Sequence, residues 1–366
     1  MIPFVNLGAQ YAAYQEEIDS AIASVLRSGN PIGGKFIEEF ENVFAKDLNI
    51  RYALSCASGT SALILSLEAL GLERGDEVIV PDYTFVATAE AVVLTGGVPR
   101  FADVGEDFLI SPSSAEERIS DRTVGIIAVD LFGQCAAYEE LRKIAQKHGL
   151  WILEDAAQSF GAFQGGKAAG SFGAVAATSF YPTKPFGAYG DGGALLTCDE
   201  NIFRKAKSFA MHGKNASGLY ASIGTNSRLD AIQAAVLLVK RRHFKEELSR
   251  RKQNAKIYDT IFSAMPGFQI PRINAGNSSV FAQYAVRSEN RDETIEKLFR
   301  QGIPTRIYYE RPLSAEPCFA KFPETKKDAE KNIIARALSR ETFCLPICAF
   351  TDAEKIASKI KSALSP

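Results

Sequence analysis

Residues 174–194 decide the fold, because they place a lysine between a short apolar run and a glycine-rich turn. They read Ala174-Val175-Ala176-Ala177-Thr178-Ser179-Phe180-Tyr181-Pro182-Thr183-Lys184-Pro185-Phe186-Gly187-Ala188-Tyr189-Gly190-Asp191-Gly192-Gly193-Ala194. The small apolar residues at the start are typical of a buried strand. A single lysine usually lies on an exposed loop, but this one has Ser-Phe-Tyr-Pro before it and Gly-Asp-Gly-Gly after it. The pattern therefore predicts a lysine at the end of a buried strand.

Short apolar runs alternate with helical patterns around this stretch, from about residue 51 to residue 200. A helix is predicted at Ser61–Leu70, because Leu63, Leu67 and Leu70 share one face and Gly71 follows. The alternation predicts a mostly parallel sheet with helices on both faces. Seven runs are predicted strands: Tyr52–Cys56, Glu77–Val80, Val98–Phe101, Val124–Val129, Trp151–Leu153, Val175–Phe180 and Gly193–Thr197.

The pattern changes near Leu229, where a long helix is predicted to begin and to continue through residues 240–256. We predict a large α/β domain at residues 1–245 and a smaller α+β domain at residues 246–366. The smaller domain is expected to contain a strand at Val280–Val286, a helix at Glu293–Gln301, a strand at Pro304–Tyr309 and a final helix from about Asp352.

Composition excludes several classes of protein. The 366 residues carry a formal net charge of −1 with no basic block, which argues against nucleic acid as the main ligand. No apolar stretch reaches the roughly 18–20 residues that span a bilayer. Six cysteines without a CxxC pair and three histidines support neither a disulfide framework nor a metal site. We expect a cytoplasmic protein without a metal ion and without a membrane partner.

One segment has the pattern of a phosphate site. Ser58-Gly59-Thr60 ends a predicted strand and opens a helix, so free N–H groups and the positive end of the helix dipole face an anion there. Thr60 adds a hydroxyl donor, and Ser179 is a candidate for a second one. An ordinary helix cap explains the same residue types.

A carboxylate, an amide and an aromatic ring complete the candidate site. Asp155 follows an apolar strand, where ligands of open α/β sheets bind, although a surface aspartate is the commoner case. Gln158 lies three residues later, and Phe85 is either a ring that stacks on a ligand or a core aromatic. A strand-end lysine, a strand-end aspartate and a phosphate turn together indicate a pyridoxal phosphate (PLP) site. Lys184 would then form a Schiff base, which requires burial to lower its pKa from about 10.4.

Two further groups remain candidates for substrate contacts. Asn226 and Arg228 lie at the predicted start of the long helix and are free to bind anions, whereas Ser227 is explained as a helix cap. Tyr308, Tyr309 and Arg311 form a polar aromatic cluster that either contacts substrate or packs between domains.

These segments together resemble the DegT family of sugar-nucleotide aminotransferases. The likeness runs from about residue 3 to residue 315 and rests on Cys56–Leu63, Thr84–Thr88, Glu154–Gly161, Ser179–Ala194 and Asn226–Asp230. It implies the aspartate aminotransferase-like (type I) PLP fold and a homodimer whose two active sites lie at the subunit interface.

The resemblance also implies a role for each site residue. Lys184 would bind PLP covalently and shuttle the proton, Asp155 would pair with the pyridine nitrogen, and Gln158 with the phenolic oxygen. Phe85 would stack on the ring. The phosphate would be bound by Gly59, Thr60 and Ser179, together with Asn226 of the other subunit. Relatives that replace the lysine with histidine are dehydratases, and Lys184 argues against that branch.

Three segments look most like those of enzymes that aminate a UDP-linked 3-keto-N-acetylhexosaminuronic acid, with L-glutamate as donor, for O-antigen biosynthesis. They are Phe132–Ala136, Thr183–Pro185 and Asn226–Asp230. Arg228 is then a candidate for the substrate carboxylate or phosphates. Such relatives commonly have His-Tyr where this chain has Tyr308-Tyr309, which leaves the keto position open.

Three alternatives remain. A 4-keto-6-deoxy sugar aminotransferase would use the same site, and a regulator would keep the fold without turnover. A nicotinamide dehydrogenase is disfavoured because no GxGxxG follows a predicted strand.

Overall fold

The computed structural model describes residues 2–364 and contains two main sheets. The strands are β1 (Tyr52–Cys56), β2 (Glu77–Pro81), β3 (Val98–Ala102), β4 (Thr123–Val129), β5 (Trp151–Asp155), β6 (Phe163–Gln164), β7 (Lys167–Ala168), β8 (Val175–Ser179), β9 (Gly193–Thr197), β10 (Phe268–Gln269), β11 (Asn277–Ser278), β12 (Tyr284–Ser288) and β13 (Thr342–Leu345).

The larger sheet has seven strands in the order β1-β9-β8-β5-β4-β2-β3. Only β9 runs antiparallel to its neighbours, β1 and β8. The other pairs are parallel, so the predicted mostly parallel sheet is confirmed. All seven predicted strands are present, with ends that differ by at most two residues.

Helices cover both faces of this sheet and pack against β12 and β13. They are α1 (Leu7–Ser28), α2 (Lys35–Asp47), α3 (Gly59–Leu70), α4 (Ala87–Leu94), α5 (Pro112–Glu117), α6 (Tyr138–His148), α7 (Glu200–Ala210), α8 (Ala231–Phe262), α9 (Arg291–Arg300), α10 (Pro323–Lys331), α11 (Ile333–Glu341) and α12 (Ala353–Leu364). Within residues 2–364, none of them combines the length and apolar composition needed to cross a lipid bilayer.

Helix α3 follows the local rules on which its prediction rests. Ser58 caps its first turn by accepting a hydrogen bond from the Ser61 N–H at 3.0 Å. Gly71 ends it in the left-handed conformation, with φ at 82°. The carboxyl end of β1 therefore turns directly into the free N-terminus of α3.

The smaller sheet has the order β10-β12-β13 and buries one face against α8, α9 and α12. Helix α8 is 32 residues long and contributes to the cores on both sides of residue 245. A division of the chain at this residue remains a prediction, and it would fall inside the helix.

Three local predictions are wrong. The strand expected at Val280–Val286 begins only at Tyr284, because the N–H groups of Val280 and Ala282 donate to Gly133 and Phe132 instead. Pro304–Tyr309 is not a strand and makes a single isolated bridge, from Arg306 to Cys344. Ser227 does not cap α8: Asp230 stands at the cap position, and the buried Ser227 hydroxyl has no hydrogen-bond partner among residues 2–364.

Candidate active site

A cavity of about 560 Å³ lies at the carboxyl ends of β5 and β8, beside the N-terminus of α3. This edge of an open α/β sheet is where ligands bind. Arg311 does not line this cavity, but nine of the other eleven candidate residues do: Gly59, Thr60, Phe85, Asp155, Gln158, Ser179, Lys184, Tyr308 and Tyr309. Residues that are up to 250 positions apart in sequence therefore meet at one place.

The N-terminus of α3 forms one end of the cavity. Gly59 lies so close to Ser179 that a Cβ added to it would stand 2.7 Å from the Ser179 Cβ. Only glycine allows this approach, which puts the first turn of α3 beside the Ser179 hydroxyl. Backbone N–H groups, the helix dipole and the hydroxyls of Thr60 and Ser179 can thus bind an anion such as a phosphate.

Asp155 is the last residue of β5 and is buried. The Thr88 hydroxyl donates to its Oδ2 at 2.8 Å, and the Ala157 N–H donates to its Oδ1 at 3.2 Å. Burial raises the pKa of Asp155, while these two hydrogen bonds and the charge of Lys184 oppose the rise. The carboxylate is thereby held in one orientation, in which it can accept a proton or a hydrogen bond.

Lys184 follows β8 in a turn closed by a hydrogen bond of 2.9 Å from its N–H to the Tyr181 carbonyl. Burial of its ammonium group lowers the pKa of Lys184 to about 8, although the Asp155 charge acts in the opposite direction. The expectation of a lowered pKa is therefore met. An amine with this pKa is in part neutral near pH 7 and can act as a nucleophile or base.

Gln158 and Tyr309 form a hydrogen-bonded wall of the cavity. Gln158 accepts from the Phe132 N–H at 2.9 Å and donates to the Tyr309 hydroxyl at 3.4 Å. The Tyr309 N–H donates to the Tyr83 hydroxyl at 2.9 Å, and this hydroxyl donates to the Tyr308 carbonyl. The Tyr308-Tyr309 segment is thus held against the site.

Phe85 is 53% exposed, so it is not a core aromatic. Its ring centroid lies 6.3 Å from that of Tyr309, at the mouth of the cavity. An exposed ring at this place is free to stack on a planar ligand.

Sequence reasoning missed two residues that orient the site, Thr88 and Tyr83. Thr88 lies in the segment Thr84–Thr88, but one threonine hydroxyl in a helix gives no signal of its distant partner Asp155. Tyr83 directly precedes that segment and reads as a core aromatic, which it also is.

Two carboxyl groups lie beneath the site. Asp130 and Glu154, the residue before Asp155, are both fully buried. Asp130 accepts from the hydroxyls of Tyr138 and Ser159, and Glu154 accepts from the N–H groups of Gly170 and Phe172. Burial, and after it the charge of Asp130, raise the pKa of Glu154 above its usual range.

Asn226 and Arg228 lie outside the Lys184 cavity. They are exposed and line a second cavity of about 560 Å³ together with Ile32, Gln233 and Asp230. Asp191 lines both cavities, which are therefore neighbours. Within residues 2–364, no group of three or more His, Cys, Asp or Glu side chains is arranged to hold a metal ion.

Known proteins resemble this chain over nearly its whole length. The model of the DegT/DnrJ/EryC1/StrS aminotransferase family matches residues 12–363. A UDP-2-acetamido-2-deoxy-3-oxo-D-glucuronate aminotransferase from Pseudomonas aeruginosa is 42% identical over 321 residues, which cover 87% of this chain and 89% of that protein. A pleiotropic regulatory protein from Geobacillus stearothermophilus is 36% identical over 340 residues, with 90% and 91% covered. The crystal structure of S. venezuelae DesV in complex with a ketimine intermediate has a TM-score of 0.92 at 34% identity, and 100% and 99% of the two chains are covered.

The residues of the cavity fit the cofactor of such enzymes. The missing Cβ of Gly59 brings the α3 N-terminus against Ser179, and a buried carboxylate and a lysine of lowered pKa line the same cavity. The type I fold predicted from the sequence is confirmed by the likeness to DesV. The chain belongs to the DegT/DnrJ/EryC1/StrS aminotransferase family and is a pyridoxal phosphate-dependent sugar aminotransferase.

Proposed function

We propose that this enzyme moves an amino group from L-glutamate to UDP-2-acetamido-2-deoxy-3-keto-hexuronic acid. The observation that carries the proposal is the single cavity that joins Lys184, Asp155 and the N-terminus of α3. The 42% identical relative acts on a UDP-linked 3-oxo-glucuronate, which supports this substrate. A role in O-antigen biosynthesis and a cytoplasmic location remain predictions.

In this proposal, bound PLP supplies an electron sink that stabilises negative charge on the reacting carbon. Lys184 binds the cofactor and then, as a free amine, moves a proton between cofactor and substrate carbons. Asp155 keeps the ring nitrogen protonated, and Thr88 and the Ala157 N–H orient its carboxylate.

The remaining residues of the cavity bind and orient the cofactor. Gly59, Thr60 and Ser179 bind its phosphate, where the free N–H groups of α3 favour an anion. Gln158 hydrogen-bonds to the phenolic oxygen, and Phe85 stacks on the ring. Tyr308 and Tyr309 lie beside the sugar, as substrate contacts.

We further propose a homodimer in which Asn226 and Arg228 of one subunit complete the site of the other. Both side chains are exposed, and the same loop exposes three large apolar residues: Leu219, Tyr220 and Ile223, which are 67%, 70% and 89% exposed. Exposed apolar clusters of this kind favour a protein interface. Arg228 would bind the sugar carboxylate or a phosphate through its two-pronged guanidinium group.

A mixing experiment tests the shared site. Lys184→Ala and Asn226→Ala are each expected to be inactive alone. After mixing and subunit exchange, half of the dimers are mixed and one of their two sites lacks both defects, so about a quarter of wild-type activity returns. No recovery, with exchange verified by mass spectrometry, would contradict a site shared in this way.

The substrate is tested by incubating the purified protein with PLP, L-glutamate and a panel of nucleotide-linked keto sugars. We expect amination of the UDP-linked 3-keto uronic acid, measured by mass spectrometry. Preferred amination of a 4-keto-6-deoxy sugar would favour the alternative substrate. Turnover of none would favour the regulator, the function for which the 36% identical relative is named.

A further inference from the structure

Gln283 lines the Lys184 cavity and has no part in the proposed roles. The side-chain oxygen of Gln283, Oε1, is buried and has no hydrogen-bond partner within residues 2–364. Four other side chains in this range have such an atom, but none of them lines the cavity. A buried acceptor without a donor destabilises a protein, so its presence in an active site calls for an explanation.

The backbone on both sides of Gln283 is fixed. The Ala282 N–H donates to the Phe132 carbonyl at 3.0 Å, and Tyr284 pairs with Leu345 where β12 begins. The Tyr284 ring is buried, and its hydroxyl donates to Asp259 at 2.6 Å. Gln283 lies in the bend before β12, and its side chain lines the Lys184 cavity as well as a small cavity beside Phe132. Its amide is therefore held at the wall of the Lys184 cavity.

A neutral amide at this position favours a neutral ligand group. Its oxygen accepts from an N–H or O–H group, whereas carboxylates and phosphates are bound best by arginine. An acetamido sugar carries such donors, namely an amide N–H and ring hydroxyls. L-Glutamate carries its amine on the reacting carbon and otherwise presents two carboxylates. The amide oxygen thus finds several donors on the sugar, whereas the amino donor offers it only the reacting amine.

We propose that Gln283 is a specificity-determining residue that accepts a hydrogen bond from an N–H or O–H group of the keto-sugar substrate. The inference rests on the proposed function, since it concerns the sugar half of the reaction. If the inference is right, the Gln283 side chain contributes to recognition of the sugar and not to the reaction with glutamate.

The test compares the two half-reactions in Gln283→Met, which preserves the length of the side chain but removes both polar groups. We expect kcat/KM for the UDP-linked 3-keto sugar to fall about tenfold, as for a lost hydrogen bond in a buried site. The reaction with L-glutamate should change less than twofold. Calorimetry should show a similar loss of affinity for UDP-N-acetylglucosamine, a readout that requires no turnover.

Gln269→Met is the matched control, because Gln269 is exposed and lies outside the Lys184 cavity. If Gln283→Met does not fold, Gln283→Asn, which shortens the amide by one methylene, allows the same comparison. Unchanged sugar kcat/KM, or equal losses in both half-reactions, would overturn the inference while the function stands. A wild-type enzyme that aminates no nucleotide-linked keto sugar would overturn the proposed function, and the inference with it.

Discussion

The two neighbouring cavities have similar volumes but are built in different ways. The Lys184 cavity is formed where strands of the large sheet end; Asp155 is buried there and Lys184 is half-buried. The Arg228 cavity is formed by loops and the start of α8, and Asn226, Arg228 and Asp230 are exposed there. Burial can shift the pKa of a lysine or a carboxyl group, whereas exposed side chains chiefly bind. The reactive groups therefore lie only in the Lys184 cavity, together with the groups that bind the cofactor, and Asp191 lines both cavities.

Loss of Lys184 from its cavity should have the largest effect on activity. We expect Lys184→Ala to lower the turnover of amino transfer by about 10²–10⁴-fold, as for removal of a general acid–base group. Steady-state assays with L-glutamate measure it. Lys167→Ala removes an exposed lysine and should have no effect. Transamination at the wild-type rate in Lys184→Ala would refute the assignment.

The pH dependence of cofactor capture tests the burial of Lys184. Only the neutral amine reacts with the PLP aldehyde, and its pKa is lowered to about 8. The rate should therefore rise about tenfold per pH unit below pH 8 and level off above it. Stopped-flow absorbance of the cofactor-free protein measures this rate. A rate that still rises at pH 10 would indicate that Lys184 has the ordinary pKa of an exposed lysine.

Arg228→Lys tests whether the second cavity contributes to binding. Lysine retains the charge but loses the two-pronged hydrogen bonds, so we expect kcat/KM for the keto sugar to fall about tenfold. The glutamate half-reaction should be unchanged. Arg300→Lys, at an exposed arginine of α9, is the control. Wild-type kinetics in Arg228→Lys would exclude Arg228 from the substrate site.

Phe85→Leu should have the smallest effect. It removes an exposed ring but retains apolar volume, and aromatic stacking contributes about 0.5–1.5 kcal/mol. The affinity for PLP should therefore fall by roughly threefold to tenfold, measured by fluorescence titration. An unchanged affinity would mean that the Phe85 ring does not stack on the cofactor.

The sequence predicts the sheet region better than the C-terminal region, for a physical reason. Buried parallel strands are short and continuously apolar, and Gly71 marks the end of α3 by local chemistry. The segment at 280–283 also alternates, but its N–H groups donate to Gly133 and Phe132, which no local pattern reveals. The pattern did not predict α1 and α2 at the N-terminus, where apolar residues are interspersed with charged ones.

The same distinction holds in the site. Lys184, Asp155 and Gly59 were predicted because each lies at a strand end or helix start with a recognisable neighbourhood. Thr88 donates its hydroxyl to Asp155, which is distant in the sequence. Gln283 lines the cavity just before β12 begins. Long-range contacts of single polar side chains leave no periodic mark in the sequence.

The buried pair of Asp130 and Glu154 has a consequence for anyone who redesigns this enzyme for a new sugar. Glu154 and Asp155 are adjacent on β5, so the peptide that places one also places the other. Replacement of Glu154 by glutamine would leave the cavity wall chemically intact and yet alter the layer that supports it. Libraries aimed at new sugars should therefore vary Tyr308 and Gln283, which line the cavity, and retain this acid pair.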